Sequence, residues 1–210
     1  MKEAAIGFRV HSGWAAMVAV TIEKGSPSIV AKHRSHLVQA FTYAFRQPYH
    51  TAEKMPLGEG REFILRVQNE ARSMAYHAIR SVQSDSKQQG IRLARGSMLL
   101  ASGRTLPDLE RILSSHAMIH TADGELFREA IMHACRRCGL KTESTKEKEL
   151  LELSSAALHS QPAVLLRRVT ELGKPFGAPW SQDEKFATLA AWVALRGVSE
   201  RMQNASVAAP

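Results

Sequence analysis

Cysteine is nearly absent from this chain. Cys135 and Cys138 are the only two in 210 residues, so a disulfide framework is excluded and stability has to come from a hydrophobic core. Long apolar runs are missing as well. No stretch of about 18 uninterrupted apolar residues occurs, which excludes a membrane-spanning helix. Arg9, His11 and Ser12 interrupt the first apolar stretch, unlike the core of a signal peptide, and the expected location is the cytoplasm. Aromatic residues amount to 6%, and no long run of one charge is present. Also lacking are the phosphate-binding Walker sequence, the GxSxG nucleophile elbow and the HExxH zinc motif. Gly58-Glu59-Gly60 has no strand before it to make a phosphate loop.

What is present suits one α/β unit. Hydrophobic residues make up 44%, enough for a core. The net charge is +8 and the isoelectric point about 9.8, a balance that favours an anionic partner such as nucleic acid, the ribosome or a phosphorylated ligand. Lysine and arginine are spread along the chain, with short clusters at Lys32-His33-Arg34, Arg136-Arg137 and Arg167-Arg168.

Period-two alternation over Ala5–His11, turn signals at Ser12-Gly13 and Lys24-Gly25-Ser26-Pro27, and β-branched runs over Trp14–Glu23 and Ser28–Val38 predict an antiparallel meander of three strands. Residues 39–58 read as a long loop holding a short helix. Phe63, Val67, Ala71, Met74, Ala75, Ala78 and Val82 recur every three or four residues and predict a helix over Gly60–Gln88. A buried fourth strand is expected over Ile91–Ser102, a short helix from Pro107 to Ser115, a helix over Asp123–Cys138 with Thr121 as its N-cap, and a fifth strand over Leu140–Ser144. Helices follow over Lys146–His159, Pro162–Leu172 and Ser181–Leu195. The last opens on the capping box Ser181/Glu184.

The order βββαβαβα, over about Ala4–His159, resembles the ribonuclease H-like superfamily, and Ile6–Gly13 also looks like the opening hairpin of actin-like and sugar-kinase domains. The resemblance implies a mixed five-stranded sheet flanked by helices, here with extra C-terminal helices. The division it implies is a ribonuclease H-like α/β domain over 1–160, a helical extension packed on it over 161–197, and a loose tail over 198–210. It also implies what a nuclease of this kind needs: carboxylates on the first strand, on the first long helix and at the end of the fourth strand, holding two divalent cations. The first strand offers Arg9, Val10 and His11, the fourth ends Leu100-Ala101-Ser102-Gly103-Arg104, and Glu70 on the long helix stands alone. Standard two-metal nuclease activity is therefore not expected.

Ligands of open α/β sheets sit beyond the carboxyl ends of the parallel strands. At that edge the topology gathers the hairpin His11, Ser12 and Trp14, the loop residue His50, Arg104, and the helix start His120, Asp123 and Glu125. Imidazoles beside carboxylates suit a divalent transition metal, with His50 and His120 as candidate ligands, or general acid–base work. The plainer alternative is that His120 and Asp123 cap a helix and His50 is an ordinary loop residue. Cys135-Arg136-Arg137-Cys138 lies at a helix C-terminus, where thiols are not activated, and reads as two ordinary thiols. His33, His36, His77, His133 and His159 read as surface or partly buried residues. Phe176 and Trp180 read as pins for the C-terminal helices, with a partner surface as the alternative. Two functions follow: a non-catalytic module that binds a partner, nucleic acid or ribosome, or a divergent hydrolase or phosphotransferase using the histidine–carboxylate rim. A structural, self-associating domain is a third.

Overall fold

Alternation along the first strand sorts the chain into two layers. In a computed structural model, which describes the backbone of residues 1–101 and 105–207 and the side chains up to residue 196, β1 (Lys2–His11), β2 (Trp14–Glu23) and β3 (Ser26–His36) form the meander. Gly13 makes the first turn possible, because its φ of +84° is open to glycine at little cost. The sheet is completed by β4 (Ile91–Leu100) and β5 (Lys141–Lys146), in the order β3-β2-β1-β4-β5. β1 pairs parallel with β4 and β4 with β5, while β2 runs against both its neighbours.

One face of β1 presents Ala4, Ile6, Phe8 and Val10 to a core shared with α3 (Leu57–Gln88) and α5 (His116–Arg137). The helices meet it through Phe63, Val67, Ala71, Ala75 and Ile79 and through Phe127, Ala130, Ile131 and Ala134, the three-to-four spacing of single stripes. The other face carries Ala5, Gly7, Arg9 and His11. It is covered by α6 (Leu150–Leu158), α7 (Pro162–Gly173) and α8 (Gln182–Val207). α8 lies directly on β1, β2 and β4. A Cβ on Gly7 would stand 1.9 Å from the Ala187 carbonyl oxygen, so the helix backbone touches the strand backbone there. Ala187, Ala190, Ala191 and Ala194 keep that approach close.

The loop after β3 holds two short helices, α1 (Tyr43–Arg46) and α2 (Pro48–Ala52), and α4 (Leu109–Leu113) precedes α5. The start of α5 differs from the sequence-based expectation. The helix begins at His116, with Ser115 at the cap position, and Thr121 is not its N-cap. The Thr121 hydroxyl donates to the Ala117 carbonyl inside the helix (3.0 Å). Threonine followed by acidic residues imitates a helix start, but Asp123 stands about two turns inside the helix. The Ser181/Glu184 box is as the sequence predicts. The Ser181 N–H donates to the Glu184 carboxylate (2.8 Å), and the Asp183 N–H donates to the Ser181 hydroxyl (3.1 Å). α8 continues as helix to Val207, through most of the segment expected as a loose tail. Trp180 donates its indole N–H to the Val169 carbonyl (3.0 Å) and stacks near Phe176. That ties α7 to the entry of α8. Among the described residues no helix is long and apolar enough to cross a membrane.

Candidate functional site

The edge formed by the C-terminal ends of β1 and β3 and the N-terminus of α5 carries two clusters. The first is built across three strands. Arg9 pairs with Ala16 on β2 and Ala16 with Arg34 on β3, so both guanidinium groups share a face across a small residue. Both turn to the first turn of α8. Arg9 binds Glu147 with two parallel bonds (2.9 and 2.7 Å) and also ion-pairs with Asp183. The paired fork is the strong geometry for a guanidinium and a carboxylate. Arg34 binds Glu184 (2.5 Å) and Asp183 (3.3 Å) and lies over the Trp14 ring (4.7 Å). The His11 Nε2 is 2.6 Å from Asp183 Oδ1, and the His11 ring stacks on Trp14.

Burial by itself pushes the Asp183 carboxyl up, but the His11 hydrogen bond and then Arg9 more than reverse it, and the group ends below its ordinary range. For Glu184, burial is likewise outweighed by Arg34 and the Ser181 cap. Carboxyls depressed in the folded state lend stability above their unfolded pKa, near about pH 4, and that stability drains away as pH falls through the folded values. We therefore expect the urea midpoint to fall between pH 5 and the acid limit, and Asp183→Asn to be less stable at neutral pH but less sensitive to acid. An Asp183→Asn variant with the acid sensitivity of the parent would contradict the assignment.

The second cluster joins α2 to α5. Asp123, 2% exposed, accepts the Tyr49 backbone N–H (2.8 Å) and faces His50 Nδ1 (2.5 Å). Tyr49 is the second residue of α2, one of the helix-start N–H groups that have no partner within the helix. Asp123 therefore caps α2 from another helix, which is why an acidic residue sits buried in the middle of α5. Burial pushes the Asp123 carboxyl above its usual range, opposed by the bonds from His50 and Tyr49. His116 and His120 are exposed one turn apart on α5, with their Nε2 atoms 3.1 Å apart. The His50 ring centre is 4.4 Å from that of His120 and 5.3 Å from that of His116. One ring nitrogen from each of His50, His116 and His120 lies within 4.8 Å of the other two.

The single histidine–carboxylate rim expected from topology is thus two clusters. His50, His120 and Asp123 come together, and His116 joins them. His11 and Trp14 belong with Asp183 instead. Ser12 contributes only its carbonyl, which accepts from Arg46 (3.4 Å). Glu125 is turned to Arg128 (2.8 Å), because two residues along a helix rotate the side chain by about 200°, away from Asp123. Arg104 lies outside the described residues. Glu70 is engaged elsewhere, accepting the Gln39 N–H (2.5 Å). The Cys135 thiol is buried and pushed up to about 12. His116 was missed, although the spacing His116-x-x-x-His120 was there to be read. Asp183, Glu147 and Arg34 had no such signal: strand register sets Arg34 beside Arg9, the turn after β5 brings Glu147, and the packing of α8 brings Asp183.

No known family model matches the sequence, and no curated protein does. Solved structures do. RuvC of Thermus thermophilus in complex with a Holliday junction substrate matches with a TM-score of 0.52 at 8% identity, over 94% of this chain and 96% of that one. The RuvC structure from the same organism without that description matches equally. An exopolyphosphatase from Cytophaga hutchinsonii is more distant, at a TM-score of 0.36 and 9% identity over 75% of this chain and 39% of that one. The fold is ribonuclease H-like. The two-cation centre that the resemblance implies does not fit the residues here. Toward its C-terminal end β1 offers Arg9, Val10 and His11 and no carboxylate, and the nearby carboxylates Asp183 and Glu147 are already engaged with Arg9.

Proposed function

We propose that this chain is a ribonuclease H-like module that binds nucleic acid without hydrolysing it. The observation that carries the reading is Arg9, a permanent cation that ligates no metal, held by Glu147 and Asp183 on the strand where the resemblance implies an acid. The net charge of +8 supports an anionic partner. Its local expression is at the opposite edge of the sheet. There Arg80, Lys87 and Arg92 line a cleft of about 450 Å³ between α3 and β4. α5 ends near it, its Cys138 carbonyl accepting from Gln83 of the cleft wall (3.0 Å), and Arg137 lies 4.3 Å over the Tyr76 ring. Cations around an aromatic face suit a phosphate backbone with an adjacent base. The likeness to RuvC, a protein solved on a Holliday junction, agrees with this reading.

Anisotropy titrations with four-way-junction DNA, duplex DNA and duplex RNA test it. Affinity should fall steeply between roughly 50 and 200 mM salt, as counterion release requires. Arg80→Glu/Arg137→Glu should weaken binding at least tenfold on every sequence and reduce the salt slope by about two. Neither Mg²⁺ nor Mn²⁺ should elicit cleavage. The proposal fails if no polymer binds at low salt, or if metal-dependent cleavage appears that Asp183→Asn abolishes.

A further inference from the structure

We infer that His50, His116 and His120 form a transition-metal site for an ion of the Zn²⁺ class, with Asp123 orienting one ligand from behind. Four observations converge. His50 spends Nδ1 on Asp123, which leaves Nε2 as its free ring nitrogen, and its ring lies against the other two. That carboxylate–histidine pair is the arrangement that fixes the tautomer and raises the basicity of a metal-ligating imidazole. It is fully built, with His50 at 7% exposure and Asp123 at 2%. His116 and His120 stand at i and i+4 on one helix, the spacing at which two imidazoles share a metal. Their Nε2 atoms are 3.1 Å apart. Two ligands of a tetrahedral ion with metal–nitrogen bonds of about 2.0–2.1 Å lie about 3.3 Å from each other.

The donor set selects the ion. Three neutral nitrogens favour Zn²⁺, Co²⁺, Ni²⁺ or Cu²⁺ and disfavour Mg²⁺ and Ca²⁺, which want oxygen. Because His116 and His120 are exposed, the fourth position of a tetrahedral ion faces solvent. Three protein ligands with an open fourth position describe a site that keeps a bound water or takes up an external ligand. This site is separate from the Arg9–Asp183 cluster and does not depend on nucleic-acid binding.

The test uses the full chain and the metal ions alone. Zn²⁺ competed against a chromophoric chelator should bind with a stoichiometry of one, and Co²⁺ should give the intense visible bands of a tetrahedral site, bleached by Zn²⁺. His116→Ala and His120→Ala replace exposed helical residues and should fold normally by circular dichroism. Each should lower Zn²⁺ affinity at least a hundredfold and abolish the Co²⁺ bands. Asp123→Asn, keeping a carbonyl for the Tyr49 N–H, should retain the bands and lose ten- to a hundredfold in affinity, the size of a second-shell effect. His133→Ala should change nothing. Saturating Zn²⁺ should raise the unfolding midpoint of the parent but not of His120→Ala. Unaltered binding in His116→Ala and His120→Ala, several weak equivalents in place of one, or Co²⁺ bands of octahedral weakness would each overturn the assignment.

Discussion

Gly7→Ala should destabilise the protein by about 3 kcal/mol, the upper end for overpacking, and lower the unfolding midpoint by roughly 6–12 °C for a chain of this size. The cause is steric and local. The added methyl meets the Ala187 carbonyl oxygen at 1.9 Å and the Ala191 nitrogen at 3.0 Å. Both are backbone atoms, so no side chain can rotate away, and α8 has to lift from the sheet. Gly58→Ala is the matched control. It adds the same methyl in the first turn of α3, where nothing lies within 4 Å, and a helical alanine is preferred to glycine there by up to about 1 kcal/mol. Thermal or urea unfolding compares the two directly. Equal midpoints would mean that α8 does not rest on β1 as described.

Arg9→Met should cost about 2–4 kcal/mol, between the small worth of exposed ion pairs and the large cost of orphaning a buried one. The side chain length is kept, so the loss is of charge and hydrogen bonds. Asp183, with 14% of its side chain exposed, would be left to His11 and Arg34, and Glu147 would lose its forked partner. A double-mutant cycle with Asp183→Asn isolates the coupling. The double variant should be more stable than the sum of the singles by about 1 kcal/mol or more, since neutralising Asp183 removes the carboxylate that Arg9 serves. Strict additivity would show that Arg9 only fills space.

The sheet was legible in the sequence because its signals are local. β1 alternates, glycine marks both hairpin turns, and the stripe through Phe63, Val67, Ala71 and Ala75 has one period throughout. The absence of acids from Ala5–His11 was equally plain. The site was only partly legible. Direction of strands and helices brought His50, His120 and Asp123 to one edge, since topology fixes which end of an element faces which. It gave no account of rotation about the helix axis, and so grouped Glu125 with Asp123 when their side chains diverge. Misplacing the start of α5 hid His116, because a residue assigned to a loop has no i+4 neighbour. The Asp183 cluster was out of reach for a different reason. Its members are separated by up to 174 positions, and Asp183 reaches Arg9 only through the seating of α8 on Gly7.

α5 also works as a ruler. It carries His116 in its first turn and Arg137 at its last residue, and its 22 residues span about 33 Å. A Debye length at physiological salt is about 8 Å, so a dication at one end is some four screening lengths from the basic cleft at the other. The two ends are insulated from each other electrostatically while joined by one rigid rod. Substitutions at the histidines and at the arginines should therefore act independently, and one chain can hold a metal and a polyanion at once without either sensing the other's charge.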